Sequence, residues 1–235
     1  MKLMKYETKI TLFSSYFDAN ENISAKSILN IFQDVAGIHA EDIGVGYQSM
    51  LEQNLYWVLS RIKFDILKQP SPNQTVIVET WPHEKGRIDF DRDMKISSED
   101  GEVLILATSK WCVIDTVSRS LQRTERVNYI GECHPEKNYE GRFGKIVMPE
   151  NIAEEKFSHI VRFCDLDHNK HMNNTNYATL VLNAIENKTF SHFEINFLNE
   201  CLTNDEIIVS LAKADESEYV IGKVKEKTAF TAFVK

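Results

Sequence analysis

Residues 164–186 read CDLDHNKHMNNTNYATLVLNAIE. Polar and turn-forming residues crowd the front of the stretch, and apolar residues at helical spacing follow, the pattern of a tight turn feeding an amphipathic helix. Near the start of the chain the same plan recurs at 16–35, YFDANENISAKSILNIFQDV. Asp18-Ala19-Asn20 falls on Asp167-His168-Asn169 at an offset of 149 residues, which also brings Ile23 onto Met172, Ile28 onto Tyr177, Ile31 onto Leu180 and Phe32 onto Val181. After each helix, Phe64–Leu67 falls on Ile195–Leu198 at an offset of 131, and Asn73 meets Asn204. Turn and apolar register agree together, and the pair reads as an internal duplication.

Between the two copies the period changes to two. Tyr6–Tyr16, Leu55–Leu67, Thr75–Trp81, Arg87–Ser97 and Glu102–Asp115 are expected as strands, with Ser120–Arg123 a short extension and Asp100-Gly101 a hairpin turn. Ile23, Ile28, Leu29, Ile31, Phe32, Val35 and Ile38 recur at helical spacing; Ser24 is expected to cap that helix, and GIHAEDIGVG at 37–46 to break it. In the second half, His159–Phe163, His192–Leu198, Glu206–Ala214, Glu218–Glu226 and Thr228–Val234 are expected as strands, and 175–186 as the helix. One strand, one long helix and a run of antiparallel strands is an α+β order. Three segments result: 1–126, a linker at 127–157 lying against the surface, and 158–235.

The chain has 235 residues, 43% hydrophobic and 26% charged, an ordinary globular composition. Its net charge of −8 speaks against a nucleic-acid partner, which calls for a basic footprint. No segment approaches the ~20 apolar residues of a membrane span. The N-terminal MKLMKYETKITLFSSYF is broken by charge before any apolar run forms, so no signal peptide is expected. Cys112, Cys133, Cys164 and Cys201 make no CxxC pair and are expected as free thiols in the cytoplasm.

The chemistry concentrates at Asp167-x-Asn169-x-His171-x-Asn173-Asn174-x-x-Tyr177. A helix cap explains one or two of these residues, but not a histidine, an aspartate and three asparagines together. A helix N-terminus offers free N–H groups to a carbonyl oxygen gaining charge, and a histidine titrates in the range a general base needs. Glu200-Cys201 follows the next strand; a solvated glutamate and a buried thiol are ordinary there.

The run D-x-N-x-H-x-N-N-x-x-Y followed by Glu200-Cys201 resembles the acyl-acyl carrier protein thioesterases of the plant plastid and bacterial branch. So do NIFQDVAGIHAEDIGVG (30–46), YWVLSRIKFDI (56–66), VETWP (78–82) and DGEVLILATSKWCVID (100–115), so that the similarity covers nearly the whole chain. The resemblance implies a tandem double hot-dog, each half a long central helix wrapped by a curved antiparallel sheet. It implies hydrolysis of a fatty acyl thioester on acyl carrier protein, with no metal or organic cofactor. Asp167, Asn169, His171 and Glu200 fall on the family's catalytic positions, with Cys201 beside them. His171 and Glu200 would polarise water, Asn169 would position the thioester carbonyl, and Asp167 would orient the site; Cys201, as an alternative nucleophile, is the weaker candidate. Asn173 and Asn174 join them as substrate contacts. In the first half Asn22 stands at His171, and Gln69-Pro70 at Glu200-Cys201. That half is expected to be catalytically silent and to hold the acyl chain, with Ile28, Ile31 and Phe32 as candidate contacts.

The three tryptophans are expected in core or sheet faces, and His39, His83, His134, His159 and His192 show no metal spacing. Arg119, Arg123 and Arg126 are ordinarily a solvated face, and here also a candidate dock for an acidic carrier protein. An acyl-CoA thioesterase of the same fold, a hot-dog hydratase and a non-catalytic acyl-binding protein remain as alternatives. Oligomeric state is open between monomer and homodimer.

Overall fold

The computed structural model describes residues 4–141, 143–150 and 153–235. The first three residues of the N-terminal stretch, and residues 142, 151 and 152 of the expected linker, lie outside them. The chain divides into two compact units, Met1–Phe143 and Gly144–Lys235.

In the first unit β1 (Tyr6–Thr11) leads to helix α1 (Ala25–Asp42), a short α2 (Tyr47–Glu52), then β2 (Leu55–Ile66), β3 (Thr75–Pro82), β4 (Phe90–Ser98) and β5 (Val103–Asp115). The strands pair antiparallel in the order β1-β3-β4-β5-β2. In the second, β6 (Glu154–Ile160) leads to α3 (Asn174–Ala184), then β7 (His192–Phe197), β8 (Glu206–Ala214), β9 (Ser217–Val224) and β10 (Lys227–Val234). Their order, β6-β8-β9-β10-β7, repeats the first. Each unit is a helix laid on an antiparallel sheet, α1 against β1 and β3, α3 against β6 and β8.

The helix α1 forms where Ile28, Leu29, Ile31, Phe32, Val35, Ala36 and His39 recur on one face, and all are buried. Ser24 caps it as expected: its Oγ accepts the Ser27 N–H at 3.1 Å. The break falls inside the expected 37–46 segment, at its far end. Helix continues through Gly37 to Asp42. A glycine inside a helix costs about 1 kcal/mol, less than the burial gained by extending the apolar face one more turn. The stop is Gly44, at φ +77°, a left-handed position suited to a residue without Cβ.

Other boundaries move for local reasons. The first strand stops at Thr11, and Ser14–Tyr16 is a 3-10 turn. Strand β4 starts at Phe90, not Arg87, because Gly86 donates to the Asp89 carbonyl and closes a turn. Ser120–Arg123 adds one bridge, Leu121 to Ile114, and no strand. The strand expected at His159–Phe163 is displaced to Glu154–Ile160, so the end of the expected linker is already sheet. Earlier linker residues bind the first unit: Trp81 Nε1 donates to the Glu136 carbonyl (2.8 Å), Asn138 Nδ2 to those of Met94 and Ala107 (2.8 and 2.9 Å), and Tyr139 Oη to Asp65 (2.7 Å). No helix among the described residues is long and apolar enough to cross a membrane.

In the second unit Gly222 on β9 faces Phe230 on β10, and Tyr177 of α3 meets the Phe230 and Phe197 rings edge-on at 5.4 Å. A Cβ on Gly222 would overlap the ring carbons Cε1 and Cδ1 of Phe230. Gly222→Ala is therefore expected to destabilise the protein by ~1–3 kcal/mol. Calorimetry checks this; an unchanged Tm would mean the ring moves aside freely.

Candidate active site

Within the turn preceding α3 the main-chain bonds repeat those of the turn preceding α1. A 3-10 turn at Phe163–Asp165 matches Ser14–Tyr16, and the bridge Leu166 to Met172 matches Phe17 to Ile23. Asp167 Oδ1 accepts the N–H groups of Asn169 (2.8 Å) and His171 (3.2 Å), as Asp18 Oδ1 accepts those of Asn20 (2.8 Å) and Asn22 (3.1 Å). Lys170 and Glu21 occupy the same left-handed position, at φ 65° and 60°. Asn173 caps α3 where Ser24 caps α1. The bonds of Asp167 are thus turn-building ones, made equally in the first half, where Asn22 stands at the position of His171.

What differs is the chemistry mounted on the turn. Past the end of β7, the N–H groups of Leu198 and Asn199 both donate to the Ala229 carbonyl (2.8 and 3.1 Å). The chain then passes the turn, and the Cys201 carbonyl accepts the Met172 N–H at 2.9 Å. This seam sets the Glu200 carboxylate 3.3 Å from Nε2 of His171. The imidazole is 20% exposed and the carboxylate side chain 36%, so the pair is sheltered yet open to a reactant. In the first half the corresponding N–H, on Ile23, donates instead to the side-chain oxygen of Gln69 (3.2 Å). Neither Asn22 nor Gln69 can take up a proton near neutral pH.

Cys201 is fully buried. Burial pushes its thiol pKa upward, and a hydrogen bond with the Tyr177 hydroxyl offsets this only in part. A buried thiol with a raised pKa holds little of the thiolate that attacks carbonyls.

The remaining candidates separate. Asn169 sits exposed in the turn, its N–H on Asp167. Asn173 Oδ1 accepts from both the N–H and Oγ1 of Thr175 (3.0 Å each), so its oxygen serves as helix cap. Asn174 opens α3, half-buried. Ile28, Ile31 and Phe32 are buried in the first unit. In the basic run, Arg126 bonds Gln122 (2.8 Å) and reaches Asp115 (3.4 Å), and Arg119 lies over the Tyr56 ring at 5.4 Å; Arg123 is exposed. Three residues of this neighbourhood escape motif reading. Asp165, His159 and Asn176 join in hydrogen bonds around the turn, and comparison with Tyr16, Ile10 and Ser27 of the other copy is the signal that finds them.

The chain is 29% identical over 93% of its length to oleoyl-acyl carrier protein thioesterase 2 of Arabidopsis thaliana, and 27% identical over 88% to a dodecanoyl-[acyl-carrier-protein] hydrolase of Cinnamomum camphora. Both are chloroplastic by name, and the chain spans 65% and 59% of their respective lengths. Among solved structures, an acyl-ACP thioesterase from Bacteroides thetaiotaomicron superposes with a TM-score of 0.86 at 21% identity, covering 98% of this chain and 97% of that one. The 12:0-ACP thioesterase of Umbellularia californica superposes at 0.85 with 20% identity, covering 100% and 98%. The fold is α+β, a tandem double hot-dog. The family models of the acyl-ACP thioesterase N-terminal and C-terminal domains match residues 3–128 and 149–229, and with most of the chain so covered it belongs to the acyl-ACP thioesterase family.

Proposed function

We propose that this chain hydrolyses the thioester of a fatty acyl chain on acyl carrier protein, releasing free fatty acid for lipid biosynthesis. The observation that carries this reading is the contact between His171 Nε2 and Glu200, built on a turn whose copy in the first half has no proton acceptor. Water gives up a proton to His171, held by Glu200, as its oxygen attacks the thioester carbonyl. Asn169 and the positive end of the α3 dipole are assigned to the oxygen as it gains charge. When the carbonyl re-forms, the C–S bond breaks and His171 returns the proton to the leaving thiolate. Asn173 and Asn174 complete the rim toward the substrate. The oxygen of Asn173 is engaged as the cap, which leaves its amide N–H groups for that task.

The first unit is assigned to the acyl chain, with the α1 face of Ile28, Ile31 and Phe32 as wall. Ile31→Phe is expected to shift the preference to shorter chains. Each excluded methylene forfeits ~0.8 kcal/mol, about fourfold in kcat/KM. Rates on a ladder of acyl carrier protein thioesters from octanoyl to octadecanoyl check this, and a uniform fall at every length would remove the assignment.

We place the reaction in the cytoplasm, supported by four free cysteines, which suit a reducing compartment. The deciding experiment offers the purified chain matched acyl carrier protein and CoA thioesters and follows thiol release. Faster turnover on the carrier protein supports the reading, a CoA preference makes it an acyl-CoA thioesterase, and binding without release makes it an acyl-binding protein. Sedimentation of the same sample distinguishes monomer from homodimer.

A further inference from the structure

We propose that Asp165, with His159 and Asn176, is a positioning clamp that sets where the Asp167–His171 turn meets α3 and so holds His171 against Glu200. One residue gathers three elements. The Asp165 carboxylate accepts the Arg162 N–H at 2.8 Å and lies 2.9 Å from Nε2 of His159, on β6. Its main-chain N–H donates to the Arg162 carbonyl at 2.9 Å. Its own carbonyl accepts the N–H of the cap residue Asn173 (2.8 Å) and Nδ2 of Asn176 in the first turn of α3 (2.9 Å). The end of β6, the 3-10 turn and the helix start are tied at a single point.

The duplication supplies the control. His159, Asp165 and Asn176 correspond to Ile10, Tyr16 and Ser27. The strand register agrees, since Ile10 pairs with Val76 and His159 with the equivalent Ile207. In the first half the Tyr16 carbonyl still accepts the cap N–H, from Ser24 at 2.9 Å, while Ser27 turns its hydroxyl to Ser24 (2.8 Å). Among the described residues, the first half therefore forms the same turn without a histidine–carboxylate contact and without a helix side chain bonded to the 3-10 turn. Fold does not require the clamp; it occurs in the half that carries the proton acceptor.

Its leverage on the site is direct. Asn173, which Asp165 holds, is two residues from His171, and Met172 between them is pinned to the Cys201 carbonyl beside Glu200. The 3.3 Å separation of His171 and Glu200 is already at the long end for a hydrogen bond. A displacement of a few tenths of an ångström at the cap opens it. Misplacement of a reacting group by about 1 Å lowers turnover by ~10².

This inference rests on His171 and Glu200 as the proton-transfer pair. Its test uses Asn176→Ser, Asp165→Ala and Asp165→Asn in the full chain, with kcat, KM, Tm and the ¹⁵N imidazole resonances of His171 read on each. Asn176→Ser installs the residue with which the first half already folds. For it and for Asp165→Ala we expect kcat to fall by about tenfold or more with KM within about twofold, and the His171 resonances to move toward a mixture of tautomers. Asp165→Asn keeps an acceptor for Arg162 and the main-chain carbonyl, and should recover most of the turnover. Unchanged His171 resonances in Asn176→Ser and Asp165→Ala, whether kcat holds or falls in step with Tm, would overturn the clamp. If the wild-type protein releases no thiol, the thioesterase reading fails, while the His171 resonances still report whether the clamp positions the ring.

Discussion

His171→Asn is expected to lower kcat by ~10²–10⁴-fold, the usual contribution of a general acid–base group, with a Tm close to that of the wild type. Asparagine is the informative replacement because the protein already contains it in this setting. Asn22 occupies the equivalent turn, with its N–H on Asp18 Oδ1 at 3.1 Å against 3.2 Å for His171 on Asp167. The carbonyls match too, accepting the Asp18 and Asp167 N–H groups at 2.8 Å. The turn thus uses only the main chain of this position, leaving the imidazole to Glu200. Removing the ring should take away chemistry and leave structure. Steady-state kinetics beside thermal melts decide it. Turnover within about fivefold of wild type would show that proton transfer resides elsewhere, and a collapse in Tm would show that the ring is structural after all.

The internal repeat makes much of this architecture legible in the amino-acid sequence. An apolar face at three- and four-residue spacing names α1 regardless of its surroundings, and Ser24 marks its start. The Asp-x-Asn turn gives the offset of 149 that the paired bridges reproduce. Boundaries are less legible where tertiary burial outweighs local preference. Segment 37–46 reads as the break without fixing the residue: the buried Ala36 and His39 carry the helix past Gly37 to Asp42, and Gly44 ends it. Arg87–Asp89 alternates like a strand, yet a single turn bond from Gly86 withholds it from the sheet. At the site, residue types announce themselves and contacts do not. His171 and Glu200 lie 29 residues apart, and the Met172–Cys201 seam brings them together. Asp165 looks like one more turn former; its weight comes from partners on a strand before it and a helix after it, which no short window spans.

The second large effect separates Glu200 from its neighbour. Glu200→Ala is expected to lower kcat by about 10²-fold, because the imidazole loses the group that orients it and stabilises its protonated form. Cys201→Ala should leave kcat within a few-fold and act on stability instead. Cys201 is fully buried, and its Sγ is the partner of the Tyr177 hydroxyl, itself largely removed from water. Truncation orphans that hydroxyl, a loss of ~1–3 kcal/mol. It leaves the water-attack route untouched. Burial raises the thiol above its ordinary pKa, which keeps thiolate scarce at neutral pH. A nucleophile so scarce and so enclosed is a poor rival to water at the partly exposed carboxylate and imidazole. Alkylation gives an independent view: iodoacetamide should modify the exposed Cys164 long before Cys201. An acyl adduct on Cys201, caught by rapid quench and mass spectrometry, would invert the ranking. His171 and Glu200 would then be the base that ionises a thiol, and the raised pKa would have to be that of a resting state which substrate binding relieves.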